Sequence, residues 1–185
     1  MKYLIVCGGK TDKEFGLNEI KTDGIDAIIA ADSGMDFLYE NGVTPDIIVG
    51  DFDSATTKAL EFFERKGQTE IHRLNPIKDD TDTEYAIRLA IREGARSIVM
   101  LGATGSRIDH VLGNISLLGI GLESGTDISI IDTNNRIRMS DKPVTIEKSA
   151  QYGRFVSLIA VTDDNEVSLR GFKYPVTDYS FDRFT

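Results

Sequence analysis

The chain reads as an α/β protein: an N-terminal, mainly parallel α/β sandwich domain followed by a small C-terminal all-β, sandwich-like domain. Three observations carry this. Through the first two-thirds, short apolar runs alternate with helix-length amphipathic segments, the pattern of successive βαβ units. The runs read as apolar on both faces, as in the strands of a parallel sheet covered by helices. Beyond about Asp132 the pattern becomes short alternating segments separated by turn residues, the mark of half-exposed antiparallel strands.

The elements follow in order. Tyr3 to Cys7 is the first strand and Ala27 to Ala31 the second, with Gly34 to Asn41 helical behind it. Asp46 to Val49 is a short β-branched strand, and the helix after it, Ala55 to Lys66, has Asp53 or Ser54 available as a cap. Glu70 to Leu74 is the fourth strand. Thr81-Asp82-Thr83-Glu84 reads as a capping box opening a helix to Glu93, with Ala86, Leu89 and Ala90 on its apolar face and Gly94 just past its end. Ser97 to Leu101 is a strand, Ile108 to Leu122 a helix, and Ile128 to Ile131 a strand. Behind them, Arg136 to Met139, Val144 to Glu147, Phe155 to Val161 and Val167 to Phe172 are expected as antiparallel strands. The change of character falls between residues 122 and 135, so the domains are expected at 1–125 and 133–185.

A formal charge of −9 and a pI near 4.7 argue against nucleic acid or an anionic membrane surface as the main partner. The single cysteine, Cys7, excludes an intrachain disulfide and a multi-cysteine zinc site; in its apolar run it reads as a small buried hydrophobe. Two histidines, His72 and His110, are too few for a histidine-based metal site. No apolar run has transmembrane length, and Met1-Lys2 leads straight into a strand. A cytoplasmic setting is expected.

Chemistry-bearing residues collect at the carboxyl ends of the strands, where open α/β sheets bind ligands. Asp32-Ser33-Gly34 follows the second. Asp51 and Asp53 follow the third; on an extended backbone residues i and i+2 face the same way. Two such carboxylates suit a hard divalent cation such as Mg²⁺. Lys78-Asp79-Asp80-Thr81-Asp82 follows the fourth strand. Asp82, in a first helical turn, is placed to complete the cation's coordination, and Lys78 to contact a phosphate. Gly102-Ala103-Thr104-Gly105-Ser106-Arg107 follows the fifth strand and opens a helix, a favourable setting for an anion, with Arg107 able to bind phosphate bidentately. His110 and Asn114 share one face of that helix. A single histidine there is equally a structural residue.

Together these residues resemble the thiamine pyrophosphokinase family of the bacterial type. The resemblance is carried by Ala31-Asp32-Ser33-Gly34, Leu38, Gly42, Pro45-Asp46, Gly50-Asp51-Phe52-Asp53-Ser54, Lys78 to Glu84, Gly102 to Gly105, Arg107, Asp109-His110, Asn114 and Gly171-Phe172-Lys173-Tyr174-Pro175. It implies a homodimer that transfers pyrophosphate from ATP to thiamine, with Mg²⁺ on Asp51, Asp53 and Asp82 and with Arg107 and Asp109 in the catalytic set. Asp109 is open to three roles: orienting Arg107, binding a second metal, or accepting the hydroxyl proton. Nucleotide contacts are expected from Gly9, Asp32, Ser33, Lys78, Asp79, Thr81, Thr83, Gly105, Arg107, His110 and Asn114. Thiamine is expected between the α/β domain of one subunit and the β domain of the other. The family continues beyond the Tyr174-Pro175 segment with further strands and a Ser-Asn pair, whereas this chain ends at Thr185. A pyrophosphokinase for another hydroxymethyl acceptor, such as a pterin, and a catalytically weakened binding module are the alternatives.

Overall fold

The computed structural model describes residues 1–52, 56–75, 80–105 and 107–184, with the backbone alone at Thr57. Two compact units emerge, Met1–Tyr152 and Gly153–Thr185.

In the first unit, strands β1 (Lys2–Val6), β2 (Ala27–Ala31), β3 (Ile47–Gly50), β4 (Glu70–Arg73), β5 (Ser97–Leu101), β6 (Asp127–Ile131) and β7 (Arg136–Arg138) form one sheet in the order β4-β3-β2-β1-β5-β6-β7. Pairing is parallel from β1 to β6 and antiparallel only at β7. The chain builds outward from β1 to β4, then returns to place β5 beside β1. That reversal makes the β1/β5 edge the topological switch point, where a crevice opens.

Alternation along β1 explains the apolar runs. Tyr3, Ile5 and Cys7 enter one core and Leu4 and Val6 the other, because successive strand side chains point to opposite faces. One core packs Ala86, Ile87, Leu89 and Ala90 of helix α4 (Asp82–Arg92). The other packs Met35 and Leu38 of α2 (Gly34–Glu40) and Ala59 and Phe63 of α3 (Thr57–Lys66). Phe63 is fully buried, worth about 2–3 kcal/mol of transfer free energy.

Helix α1 (Lys13–Ile20) has too weak an apolar period to be read from the sequence. Its start is nonetheless set locally, since Asp12 caps it by accepting from the Phe15 N–H at 2.9 Å. The segment expected as one helix to Leu122 is two, α5 (Ile108–Leu117) and α6 (Gly119–Ser124), joined at Leu118. Gly119 and Gly121 weaken continuation there, and Gly121 lets α6 close onto β6, where a Cβ would stand 2.6 Å from the Thr126 carbonyl oxygen.

The all-β unit is a two-stranded antiparallel sheet, β8 (Asn165–Leu169) with β9 (Val176–Phe181), carrying an irregularity between Val167 and Leu169. Val144 to Glu147 and Phe155 to Val161, expected as strands, are not strands. Alternating side chains supply a face, but a strand also needs a neighbouring edge for its N–H and C=O groups, and none of the described residues pairs with them. Phe155 and Ile159 stay 81% and 85% exposed. Among the described residues no helix is long and apolar enough to cross a membrane.

Candidate active site

Three carboxylates converge at the carboxyl ends of β2 and β3 and the amino end of α4. One oxygen from each of Asp32, Asp51 and Asp82 lies within 4.8 Å of the other two, and all three residues are half-buried. Unit charges that close repel by roughly 3 kcal/mol per pair at an effective dielectric of about 20. An all-oxygen donor set of this charge fits a hard divalent cation of the Mg²⁺ type.

Each member is delivered by local structure. Asp32 leaves β2 with φ +49° while its N–H still bonds the Val49 carbonyl at 2.8 Å. This turn lets α2 begin two residues later, and Gly34 makes the close approach possible, since a Cβ there would stand 1.9 Å from the Val6 carbonyl oxygen. Asp51 follows the end of β3. Asp82 is the first residue of α4, whose cap, Thr81, accepts from the Glu84 N–H at 3.1 Å. The reciprocal half of the expected capping box is not made: the Glu84 carboxylate binds Arg88 at 2.7 Å instead.

The sequence pointed to Asp51, Asp53 and Asp82 as the ligands. Asp51 and Asp82 do meet, and Asp32, expected to contact nucleotide, joins them. Asp53, Lys78, Asp79 and Ser106 lie outside the described residues. β3 ends at Gly50 and Phe52 has φ +64°; the expectation that Asp51 and Asp53 share a face falls on Asp53, outside the described residues. The adjacency of β2 and β3, which brings Asp32 beside Asp51, has no signal in either segment alone.

At the switch point the loops after β1 and β5 touch backbone to backbone. The Gly9 N–H donates to the Gly102 carbonyl at 2.9 Å. A Cβ on Gly9 would lie 2.2 Å from that oxygen and 3.1 Å from the Gly105 Cα, so only glycine fits at Gly9. Ser33 heads α2 without a side-chain cap bond, and its Oγ would stand 2.2 Å from a Cβ at Gly8.

Other expected contacts have intramolecular partners. The Thr83 hydroxyl faces the Cys7 Sγ at 3.8 Å; Cys7 is buried, which pushes its thiol up to about 12 despite the opposing hydroxyl. The Asn114 amide donates to the Ala103 carbonyl at 2.8 Å, fastening α5 to the β5 loop. Arg107 and Asp109 form an exposed bidentate pair, Nη2 to Oδ2 at 2.6 Å and Nε to Oδ1 at 3.2 Å. Hydrogen bonding from Arg107, helped by the His110 N–H at 3.0 Å, holds the Asp109 carboxyl down at about 2. His110 is exposed beside it.

A parallel sheet whose carboxyl edge gathers three carboxylates beside a glycine-walled switch point has the features of a site for a cation and an anionic ligand. Comparison with known proteins makes the class specific. Residues 21–130 match the family model "Thiamin pyrophosphokinase, catalytic domain", and residues 143–184 match "Thiamin pyrophosphokinase, vitamin B1 binding domain". The thiamine pyrophosphokinase of Bacillus subtilis (strain 168) is 36% identical over 152 residues, covering 81% of this chain and 70% of that protein. A thiamine pyrophosphokinase of Oryza sativa subsp. japonica is 35% identical over 80 residues, 40% of this chain and 30% of its own. The crystal structure of the Bacillus subtilis enzyme superposes with a TM-score of 0.86 at 31% identity, covering all of this chain and 86% of the other. That of the Geobacillus thermodenitrificans protein gives 0.78 at 27%, covering 100% and 84%. The chain belongs to the thiamine pyrophosphokinase family and is an enzyme of that family's transferase class.

Proposed function

We propose that this chain transfers the β,γ-pyrophosphoryl group of ATP to the hydroxyl of thiamine, forming thiamine diphosphate and AMP. The observation that carries the reading is the meeting of Asp32, Asp51 and Asp82 at one point in a chain of this family.

In the reaction the hydroxyl oxygen forms a bond to the β-phosphorus. The bond from that phosphorus to the α,β-bridging oxygen breaks, AMP leaves with that oxygen, and the hydroxyl proton passes to solvent. Transfers of this kind depend on positioning and on neutralising charge across the phosphoryl oxygens. Mg²⁺, which Asp32, Asp51 and Asp82 would hold together with Asp53, supplies most of that neutralisation when bound. Arg107, held in its bidentate pair with Asp109, presents guanidinium N–H groups at the head of α5, where a phosphate is favoured. With its carboxyl held at about 2, Asp109 is a poor proton acceptor, in keeping with a loose transition state that needs no strong base. The contacting backbones of Gly9, Gly102 and Gly105 leave room for the polyphosphate chain to pass.

This reading carries the rest of the assembly with it: residues 1–125 as the nucleotide and metal domain, residues 133–185 as the acceptor domain, and a cytoplasmic homodimer with its active site at the subunit interface. The vitamin B1 binding match at residues 143–184 supports that division of labour. Phosphorus NMR on protein, ATP, Mg²⁺ and thiamine tests the reaction. Thiamine diphosphate and AMP are expected in equal amounts. Pyrophosphorylation of a pterin but not thiamine, or ATP binding without any AMP, would overturn it.

A further inference from the structure

Next to the carboxylates one aromatic residue holds a backbone shape that its side chain disfavours. Phe52 has φ +64°, a region that bulky residues rarely enter. Among the described residues three non-glycine positions have positive φ: Asp32, Phe52 and Asp178. The first is one of the three carboxylates and the second adjoins Asp51. Strain of this kind persists only where the surroundings impose it.

The surroundings of Phe52 are specific. Ile48 of β3 is fully buried in the core that also holds Phe63. Gly50, two residues on, continues that face of the strand but brings no side chain. The Phe52 ring folds back into the space, since a Cβ at Gly50 would stand 3.1 Å from its Cε1 and 3.2 Å from its Cδ1. The same Cβ would lie 3.2 Å from the Asp32 Cα, so the ring, Gly50 and the turn that carries Asp32 meet at one place. The ring packs against the core, and the Arg73 guanidinium lies over it, 5.4 Å from its centre, a favourable cation–π distance. Arg73 ends β4 in register with Gly50 and is paired with Glu64 of α3.

Asp51 therefore stands between a buried strand end and an anchored ring. That constraint has work to do. The carboxylates of Asp32, Asp51 and Asp82 repel one another, and a ligand set keeps its shape only if its supporting residues hold it.

We infer that Phe52 is a positioning residue for the cation site: its ring, seated over Gly50 beneath Arg73, holds the left-handed turn that keeps the Asp51 carboxylate beside Asp32 and Asp82 against their mutual repulsion. The inference rests on the cation reading of that cluster and adds what holds its shape.

Mn²⁺ binding followed by electron paramagnetic resonance, with the thermal midpoint in EDTA measured beside it, tests this independently of turnover. Phe52→Gly suits the left-handed backbone and removes the ring. Its Mn²⁺ dissociation constant should rise roughly tenfold or more. Phe52→Leu keeps an apolar anchor and should stay within about threefold of the parent. A lowered midpoint in Phe52→Gly with Mn²⁺ affinity held within about twofold would make the ring a core residue only and overturn the inference. Gly50→Ala decides the matter if Phe52→Gly does not fold. It keeps the ring but crowds it, so Mn²⁺ should bind more weakly, and adding Phe52→Leu to Gly50→Ala should recover most of the loss. No recovery would assign the effect to Asp32 and overturn the inference. A parent chain that binds Mn²⁺ no better than Asp32→Asn would remove the cation reading itself, and the role of Phe52 with it.

Discussion

Asp36, in the first turn of α2, receives two hydrogen bonds from Thr56, one from the backbone N–H at 3.2 Å and one from the hydroxyl. Thr56 is the N-cap of α3. One carboxylate thus ties the start of α3 to α2, the helix that begins two residues after Asp32. Asp36 is therefore expected to position the carboxylate site. Asp36→Ala should raise the Mg²⁺ concentration needed for half-maximal turnover roughly five- to tenfold, the scale of one or two lost hydrogen bonds. Asp36→Asn, which can still accept from the N–H and donate to the hydroxyl oxygen, should stay near the parent. Equal effects of the two variants in a Mg²⁺ titration would show that the tether does not position the site.

The close approach of Asp32, Asp51 and Asp82 has opposite consequences for stability and for turnover. Asp32→Asn removes one like charge from a crowded cluster, so without divalent ions the midpoint of thermal unfolding should rise by a few degrees, the shift of about 1 kcal/mol. Turnover should fall by roughly a hundredfold or more. With Mg²⁺ added, the parent should gain more thermal stability than the variant, because a ligand that binds only the folded state stabilises it. Scanning calorimetry with Mg²⁺ and with EDTA measures both shifts, and a parent melting point indifferent to Mg²⁺ would count against a cation at this cluster.

Asp109 offers a pH signature. Its carboxyl sits at about 2 in the folded chain, chiefly through the hydrogen bonds from Arg107, against an ordinary carboxylate value near 4. The ionised form is the stabilised one. The pair's contribution is therefore present above about pH 4 and lost as the pH falls towards 2. Since both groups are exposed, the effect on stability is small, and the titration itself is the readout. In Arg107→Ala the Asp109 carboxyl should titrate close to the ordinary value in carbon-detected NMR, and turnover should fall strongly. A titration still near 2 would assign the depression to the His110 N–H instead.

Legibility followed the range of the interactions. The central strands, such as β1 and β2, were readable because burial on both faces leaves an apolar run. The start of α4 was readable because Thr81 caps it from one residue away. Helix α1 was not, since its position depends on Asp12 and on packing against the sheet rather than on a strong apolar stripe. Val144 to Glu147 and Phe155 to Val161 carry strand alternation but form no strand, because pairing depends on an edge from elsewhere in the chain. Asp51 and Asp82 stood out in the sequence by their places at strand and helix ends, and in the structure their carboxylates meet. The participation of Asp32 depended on β2 lying beside β3 and on its own left-handed backbone.

By itself the sequence determined the α/β class, the glycine loops, and the presence of carboxylates at the ends of the strands. Each of these is written in local periodicity, residue size or residue charge. Only the tertiary structure decided which carboxylates meet, and that Asn114 and Thr83 face inward to Ala103 and Cys7. The physical reason is that strand order arises from hydrogen bonding between segments remote in sequence. No short stretch records which neighbour a strand will have, or what its loops will face.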